Sequence, residues 1–310
     1  MKDTASLFIT DSLDSLNPKK DTSILMMEEI SNQEGKVFQC EMKDLRYFEQ
    51  IVQANIVKIK DPISTPRVFT PIDQSLPLKD FNYVFMRKDP PVDDDFMNAL
   101  HLLSQAELEG ATVINRPAAL QKFNEKILAL RFSAWMPDTK VICKEDDLKN
   151  FKDRHSTIIL KPLNGMGGDL IYKFEELTSK NFEIFKSLTN NFQTMVMVQN
   201  FLPEIYEGDY RILIIHGEPF PIALARFPQG DSFKANLAAG GKGQSREINS
   251  VQRKVGKEVG KLLMQEGVVF AGIDMIGDYL TEINITSPTG AREILAQSKQ
   301  NPIQQLLESL

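Results

Sequence analysis

The sequence predicts an α/β protein, with a helix-covered parallel sheet first, a small α+β unit in the middle and a C-terminal strand-rich part. Three observations predict it. Short apolar strand signals alternate with helical periods through the first third, which is the pattern of a parallel sheet covered by helices. A compact set of strands surrounds a glycine-rich loop in the middle. The last third pairs "YRILIIHGEP" with "FPIALARF" and ends in two strands that carry polar groups.

The elements follow in order. "SLFIT" reads as a strand, and "DTSILMMEEISNQEG" as a helix that starts near Asp21 and stops at Gly35. "KVFQCE" and "NYVFMRK" read as further strands. "DDDFMNALHLLSQAELEG" is an amphipathic helix with acids in its first turn, where they complement the helix dipole, and Gly110 at its end. "TVIN" follows as a strand, and Pro117 opens a helix expected to run on through "NEKILALRF". The middle unit, near residues 125–200, reads as "TKVIC", a charged helix at "EDDLKNFKDRH", then "TIILK", the glycine loop, "LIYK" and "MVMVQ". After "FPIALARF" an irregular loop is expected to reach about residue 248, before the helix "NSVQRKVGKEVGKLLMQEG".

Composition excludes some classes of function. The chain has 310 residues, 42% hydrophobic and 25% charged, which suits a globular protein of two or three domains. A net charge of −6 argues against broad nucleic-acid binding. Asp11 and Asp14 interrupt any signal-peptide core, and no run approaches the ~20 apolar residues of a membrane span. Cys40 and Cys143 are isolated thiols that fit a reducing cytoplasm, and His101, His155 and His216 are too scattered for a metal cluster or a Ser-His-Asp triad. A cytoplasmic protein with neither nucleic-acid nor membrane partners is expected.

"IILKPLNGMGGDLIYK" sets Gly165, Gly167 and Gly168 between two strands, with Lys161 ending the first. Glycines let backbone amides approach a phosphate. The loop does not lead into a helix, so it is neither a Walker A loop nor a dinucleotide fingerprint. It is either a hairpin tip that folds over phosphates or an ordinary glycine turn. Lys126 and Lys161 are candidates to reach phosphates, and Gln199 and Leu202 in "MVMVQNFLPE" mark a hinge suited to an adenine ring. Asp209 and Arg211 share a strand face. They form either a surface ion pair or a ribose contact beside a phosphoryl or acyl contact.

The stretch "GIDMIGDYLTEINITSP" places Asp274, Glu282 and Asn284 on strands otherwise suited to burial. All three are oxygen donors, the type Mg²⁺ takes together with substrate phosphates. A two-residue hairpin loop at Gly277-Asp278 would pair Asp274 with Thr281. A three-residue loop, Gly277 to Tyr279, would pair it with Glu282 and gather the donors on one face.

Together "FMRKDPP", "INRPAALQKFNEK", "IILKPLNGMGG", "GDYRILII", "ARFPQGDSFKANLAAGGKG" and "GIDMIGDYLTEINITSPTG" resemble the bacterial glutathione synthetase family of ATP-grasp carboxylate–amine ligases over essentially the whole chain. "MRKDPP" and "NLAAGG" are the most specific of these. The resemblance implies an ATP-grasp fold in three domains: an N-terminal α/β domain (1–122), a lid (123–200) and a C-terminal domain (201–310). It implies ATP-dependent joining of γ-glutamylcysteine to glycine through an acyl phosphate. The implied ATP-binding set is Lys126, Lys161, Gly165, Met166, Gly167, Gly168, Gln199, Asn200, Phe201, Leu202 and Asp209. Asp274, Glu282 and Asn284 would bind Mg²⁺, with Mn²⁺ as an alternative. Arg211 and Arg226 are the candidate catalytic groups, and Arg87, Asn236 and Ser287 the candidate substrate contacts. A homo-oligomer is also implied.

Two departures stand out. "ITDSLDSL" keeps Asp11 but lacks the proline of the family's "MDP", and Lys234 stands where arginine is expected, keeping charge without bidentate geometry. The segment 226–246 shows neither strand nor helix period and reads as an active-site lid, with Asn236, Ala238 and Ala239 packing near substrate. Rival readings are an ATP-grasp ligase for another amine and a non-catalytic nucleotide-binding regulator.

Overall fold

The computed structural model describes every residue except Met1, Asp3, Met166, Gly167, Asp169, Asp231, Ala238 and Ala239. β1 (Ala5–Ile9) leads into α1 (Thr22–Asn32), whose N-terminus is capped by the Asp21 carboxylate accepting from Ser23 N and Ile24 N. β2 (Lys36–Cys40) then lies parallel to β1. Between β2 and β8 the chain forms β3 (Leu45–Phe48), β4 (Ile51–Ala54), β5 (Val57–Asp61), β6 (Val68–Pro71) and β7 (Leu76–Pro77). β8 (Tyr83–Met86), α2 (Asp94–Leu108) and β9 (Val113–Ile114) complete this part.

The main N-terminal sheet runs in the order β6-β5-β2-β1-β8-β9, and β3-β4-β7 form a separate small sheet. The parallel core agrees with the sequence reading, but β5 and β6 add an antiparallel edge. They escaped notice because β6 is exposed along its whole length and so has no apolar face to read. β1 sits between β2 and β8, so the strand order switches direction there, the place where open α/β sheets take ligands beyond the carboxyl ends of their strands.

The expected helix from Pro117 through residue 132 is broken. α3 (Pro117–Lys122) ends at an extended Phe123, and α4 (Glu125–Ala129) starts afresh with Asn124 as its cap. The Asn124 side chain accepts from Lys126 N and Ile127 N, which makes residue 124 a better helix start than a helix interior. The middle unit is β10 (Thr139–Ile142), α5 (Glu145–Lys152), β11 (Ile158–Pro162), β12 (Tyr172–Phe174), α6 (Ser179–Leu188) and β13 (Val196–Asn200). Its antiparallel sheet, β10-β13-β11-β12, has its own core around Leu148, Phe151, Leu160, Phe174 and Phe185.

The C-terminal part holds β14 (Asp209–Ile215), β15 (Glu218–Pro219), β16 (Ile222–Phe227) and β17 (Lys242–Glu247). α7 (Ser250–Gln265), β18 (Phe270–Ile276), β19 (Tyr279–Asn284), α8 (Ala291–Ser298) and α9 (Pro302–Glu308) follow. β17 corrects the reading of an irregular loop to residue 248. It pairs with β16 from Ile222↔Glu247 to Phe227↔Lys242, so only residues 228–241 lie between strands. β17, "KGQSRE", is a polar edge strand held by its backbone ladder, and no side-chain period announces it. α7 packs closely on the turn after β14: a Cβ at Gly260 would collide with the Gly217 carbonyl.

The N-terminal and C-terminal sheets share packing. One core joins Leu7, Val84 and Leu100 to Ile212, Val259 and Ile273, and another joins Phe8 and Met26 to Leu213, Ile294 and Leu306. Asn115 fastens the two covalently distant parts, donating to Phe270 O and Ile285 O and accepting from Val269 N and Phe270 N. All four hydrogen-bonding positions of that buried amide are used. Among the described residues no helix is long and apolar enough to cross a membrane.

Candidate active site

The first turn of α4 presents three consecutive side chains to three different walls. Asn124 Nδ2 donates to Leu163 O and Asn164 Oδ1 of the glycine loop. Glu125 Oε1 accepts from Ile285 N, Thr286 N and Thr286 Oγ1 just past β19. Lys126 Nζ pairs with Glu282 Oε1 at 2.9 Å and donates to Gly165 O at 2.6 Å. The middle unit and the C-terminal sheet therefore meet at Lys126. Lys161 lies beside it at the end of β11, with its ammonium donating to Thr281 O at 3.2 Å. Burial lowers the Lys161 pKa to about 8, against the pull of Glu282.

On the C-terminal sheet, β14 pairs with β16 so that Asp209 faces Arg226, and with β18 so that Arg211 faces Asp274. β19 in turn sets Glu282 opposite Asp274. That pairing was expected from a three-residue hairpin loop, which the structure does not have. The loop is Gly277-Asp278, closing Ile276↔Tyr279 and Met275↔Leu280, and a bulge then advances the register by one residue to Asp274↔Glu282. The bulge extrudes Thr281, whose hydroxyl donates to Asp274 O.

Asp209 and Arg211 share a face but do not pair with each other. The Asp274 carboxylate accepts from Arg211 Nε and from Arg211 Nη2 at 2.8 Å, with Arg226 Nη2 at 3.1 Å. Arg226 Nη2 also meets Asp209 Oδ2, and Asn284 Nδ2 lies 3.4 Å from Asp274 Oδ2. Asp209, Arg211, Arg226 and Asp274 are all buried, so this is an internal network and not a surface pair. Burial alone would raise the Asp274 pKa, yet the two guanidinium groups hold it well below the usual carboxylate range. Asp209 has one arginine partner, and burial pushes its pKa up. Among the described residues, Arg226 Nε and Asp209 Oδ1 are buried with no hydrogen-bond partner. Such orphaned groups are costly unless a ligand satisfies them.

Two cavities meet here. The first, about 920 Å³ with its open mouth included, is lined by Lys126, Lys161, Gly165, Gly168, Gln199, Asn200, Phe201, Leu202, Asp209, Asp274 and Glu282. Gln199 Nε2 donates to Thr139 Oγ1, which fixes the orientation of its amide. The second, about 1540 Å³ on the same measure, is lined by Arg211, Arg226, Asn236, Asn284 and Ser287 among others. Lys126, Gly165, Asn236 and Glu282 line both, so the cavities join at those residues. Asn236 also closes on the glycine loop: Gly168 has φ +86°, and a Cβ there would lie 2.7 Å from Asn236 Oδ1.

Met166 and Gly167 lie outside the described residues, as do Ala238 and Ala239 of the later loop. Arg87 is the one described candidate that lines neither cavity. It is buried, donating to Ser23 Oγ and Pro288 O with its guanidinium over the Phe270 ring. Sequence reasoning passed over Asn124, Glu125 and Asp89. The capping signal at Asn124 was legible, because a cap residue followed by an acid and a helical period starts a helix.

Among the described residues no group of three or more His, Cys, Asp and Glu is placed to hold a metal. The candidate donors are two carboxylates and one amide. Asp274 and Glu282 are neutralised by Arg211, Arg226 and Lys126 in this state. The donor set is all oxygen and lies on the wall of the first cavity or beside it, which fits a hard divalent cation whose remaining ligands come from phosphate and water.

The chain matches the family model described as the prokaryotic glutathione synthetase N-terminal domain over residues 5–121, and the ATP-grasp domain of the same family over residues 125–299. It is 39% identical over 290 residues to the glutathione synthetase of Escherichia coli K12, covering 93% of this chain and 92% of that protein. It is 40% identical over 290 residues to that of Vibrio vulnificus CMCP6, covering 93% and 91%. Among solved structures, the D-cycloserine synthetase DcsG superposes with a TM-score of 0.69 at 12% identity, covering 98% of each chain. The ATP-grasp ligase PsnB, solved with a phosphomimetic precursor variant, Mg and ADP, gives 0.62 at 14% identity, covering 100% of this chain and 98% of that one. At these identities the two structures speak for the fold alone.

Proposed function

Because the chain belongs to the prokaryotic glutathione synthetase family, we propose how its two joined cavities carry out an ATP-dependent ligation. The protein is an ATP-dependent ligase that makes glutathione. We take γ-glutamylcysteine and glycine as its substrates. The observation that carries this reading is the junction at Lys126 and Glu282, where a cavity suited to a nucleotide opens into one walled by two buried arginines.

In this reading the first cavity takes ATP. Gln199, Asn200, Phe201 and Leu202 border the adenine, Asp209 the ribose, and Lys126, Lys161 and the glycine loop the phosphates. The second cavity takes the dipeptide with its cysteinyl carboxylate toward Arg211 and Arg226. A free carboxylate is a poor electrophile, and transfer of the γ-phosphoryl group turns one of its oxygens into a leaving group. The unprotonated amine of glycine attacks the acyl carbon, negative charge builds on the carbonyl oxygen, and phosphate departs. Fixed donors aimed at that oxygen stabilise the transition state, and the unpartnered Arg226 Nε is one such donor. Asp274, Glu282 and Asn284 would hold Mg²⁺, or Mn²⁺ as the alternative, which when bound neutralises phosphate charge. Ser287 and Asn236 contact the dipeptide, and Arg87 supports that wall from behind through Pro288. Residues 228–241 act as a lid that keeps water from the acyl phosphate.

The domain division that goes with this is 1–122, 123–200 and 201–310, with ATP between the last two. We further propose a cytoplasmic homo-oligomer with small-molecule substrates and no nucleic-acid partner.

The function is tested by phosphate release from ATP and Mg²⁺. Release is expected only when γ-glutamylcysteine and glycine are both present. Faster turnover with alanine or lysine than with glycine would overturn the choice of acceptor.

Lys161 adds a pH dependence. Its ammonium is charged below a pKa of about 8 and neutral above it, so phosphate attraction weakens as the pH rises through that value. kcat/KM for ATP, which reports groups in the free enzyme, is therefore expected to be level below about 8 and to fall above it. Lys161→Met should flatten that fall. An alkaline limb that persists in the variant would assign it to another group.

A further inference from the structure

Three carboxylates line the second cavity among the described residues: Asp89, Glu125 and Glu282. Two are committed to partners. Glu125 Oε1 accepts from Ile285 N at 2.7 Å and from Thr286 N and Oγ1 at 2.9 Å, and Glu282 pairs with Lys126 at 2.9 Å. Asp89 has no lysine or arginine nitrogen paired with its carboxylate among the described residues. The neighbouring Lys88 turns away, its ammonium 2.9 Å from Asp11 Oδ1 and 2.8 Å from the Asp89 backbone oxygen. The Ser287 hydroxyl beside Asp89 donates to Arg87 O at 3.3 Å.

The position of Asp89 suits a ligand contact. It follows β8 at the carboxyl end of the parallel strands, beside the point where the strand order reverses, which is where open α/β sheets take their ligands. Pro90, Val92, Met97, Leu120 and Phe123 make the surrounding wall apolar, and opposite charges attract more strongly beside such a wall than in water. Burial raises the Asp89 pKa, so its charge is poorly solvated and a bound cation would relieve the cost.

The substrate has one matching group. In γ-glutamylcysteine the only cation is the α-ammonium of the glutamyl residue, at the end remote from the reacting carboxylate. The glycine amine must be unprotonated to attack, so it does not compete for an anion. One cation needs one free carboxylate, away from the arginine wall. We propose that Asp89 is the specificity residue that receives the α-ammonium of the γ-glutamyl end. This rests on the ligase reading above and names how the dipeptide is chosen and oriented.

The test compares γ-glutamylcysteine with N-glutarylcysteine, the same molecule without the α-ammonium, in the unaltered enzyme and in Asp89→Asn. The unaltered enzyme is expected to favour γ-glutamylcysteine by about 10²-fold in kcat/KM, the scale of losing one partner of a buried charged contact. Asp89→Asn should lower kcat/KM for γ-glutamylcysteine by about the same factor and leave that for N-glutarylcysteine within about 3-fold. A merely structural role would lower both substrates together and preserve their ratio, and that result would overturn the proposal. ATP affinity measured by calorimetry, unchanged in the variant, would show that the fold is intact. An unaltered enzyme that joins neither dipeptide to glycine would overturn the ligase reading and this inference with it. Discrimination that survives in an active Asp89→Asn enzyme would overturn this inference alone.

Discussion

Glu282→Gln is expected to lower kcat by roughly 10²-fold or more, with little change in stability. Glu282 sits at the junction of the two cavities, its side chain 22% exposed and paired with Lys126. Glutamine keeps an oxygen that can still accept from Lys126, and Lys126 keeps its bond to Gly165 O. The stability cost is therefore about 1 kcal/mol, the difference between a charge-assisted hydrogen bond and the neutral one that replaces it. What the variant loses is negative charge toward the nucleotide side. Steady-state kinetics beside a thermal melt separates the two effects. An unchanged kcat with a lowered melting temperature would reduce Glu282 to a structural partner of Lys126.

Asp274→Asn should damage both properties. Its carboxylate stands between Arg211 and Arg226, and all three residues are buried. Removing its charge takes from Arg211 its hydrogen-bonded carboxylate and leaves Asp209 as the paired counter-ion of Arg226, and breaking a buried pair in this way costs about 3–5 kcal/mol. The pH behaviour agrees in sign. Arg211 and Arg226 depress the folded-state pKa of Asp274, so the stability it contributes is complete above the ordinary value of 3.8 and fades only as the pH falls below it. Neutral-pH urea unfolding of the variant should therefore show the whole loss. Turnover should fall as well, by roughly 10²-fold or more, because Arg211 loses the group that aims it. The double change Arg211→Met with Asp274→Leu replaces the pair by apolar volume and should recover most of the stability without recovering activity. A double variant that regained turnover would show that neither group takes part in the chemistry.

The two carboxylates face each other across one pair of strands, yet they differ in surroundings. Glu282 reaches the cavity edge, whereas Asp274 is enclosed by arginines from β14 and β16. This is why one substitution is expected to separate activity from stability and the other to join them.

Local chemistry made much of this protein legible in the sequence. The Asp21 cap, the acids at the start of α2 and the glycine at residue 110 are short-range signals, and each element stands where its signal placed it. Lys161, Asp274 and Glu282 stand out in the sequence as charged groups on strands otherwise suited to burial, and the structure brings all three to the wall of one cavity. Tertiary structure decided what depends on partners remote in the chain. β6 and β17 carry no apolar period and exist only because β5 and β16 supply their hydrogen bonds. Asp274 meets Glu282 because one residue bulges out of β19, and a bulge is set by what the strand packs against, not by turn residues. Arg211 pairs with Asp274 rather than with Asp209, two residues away on its own strand. Side chains on one strand face point the same way, whereas cross-strand neighbours approach within reach.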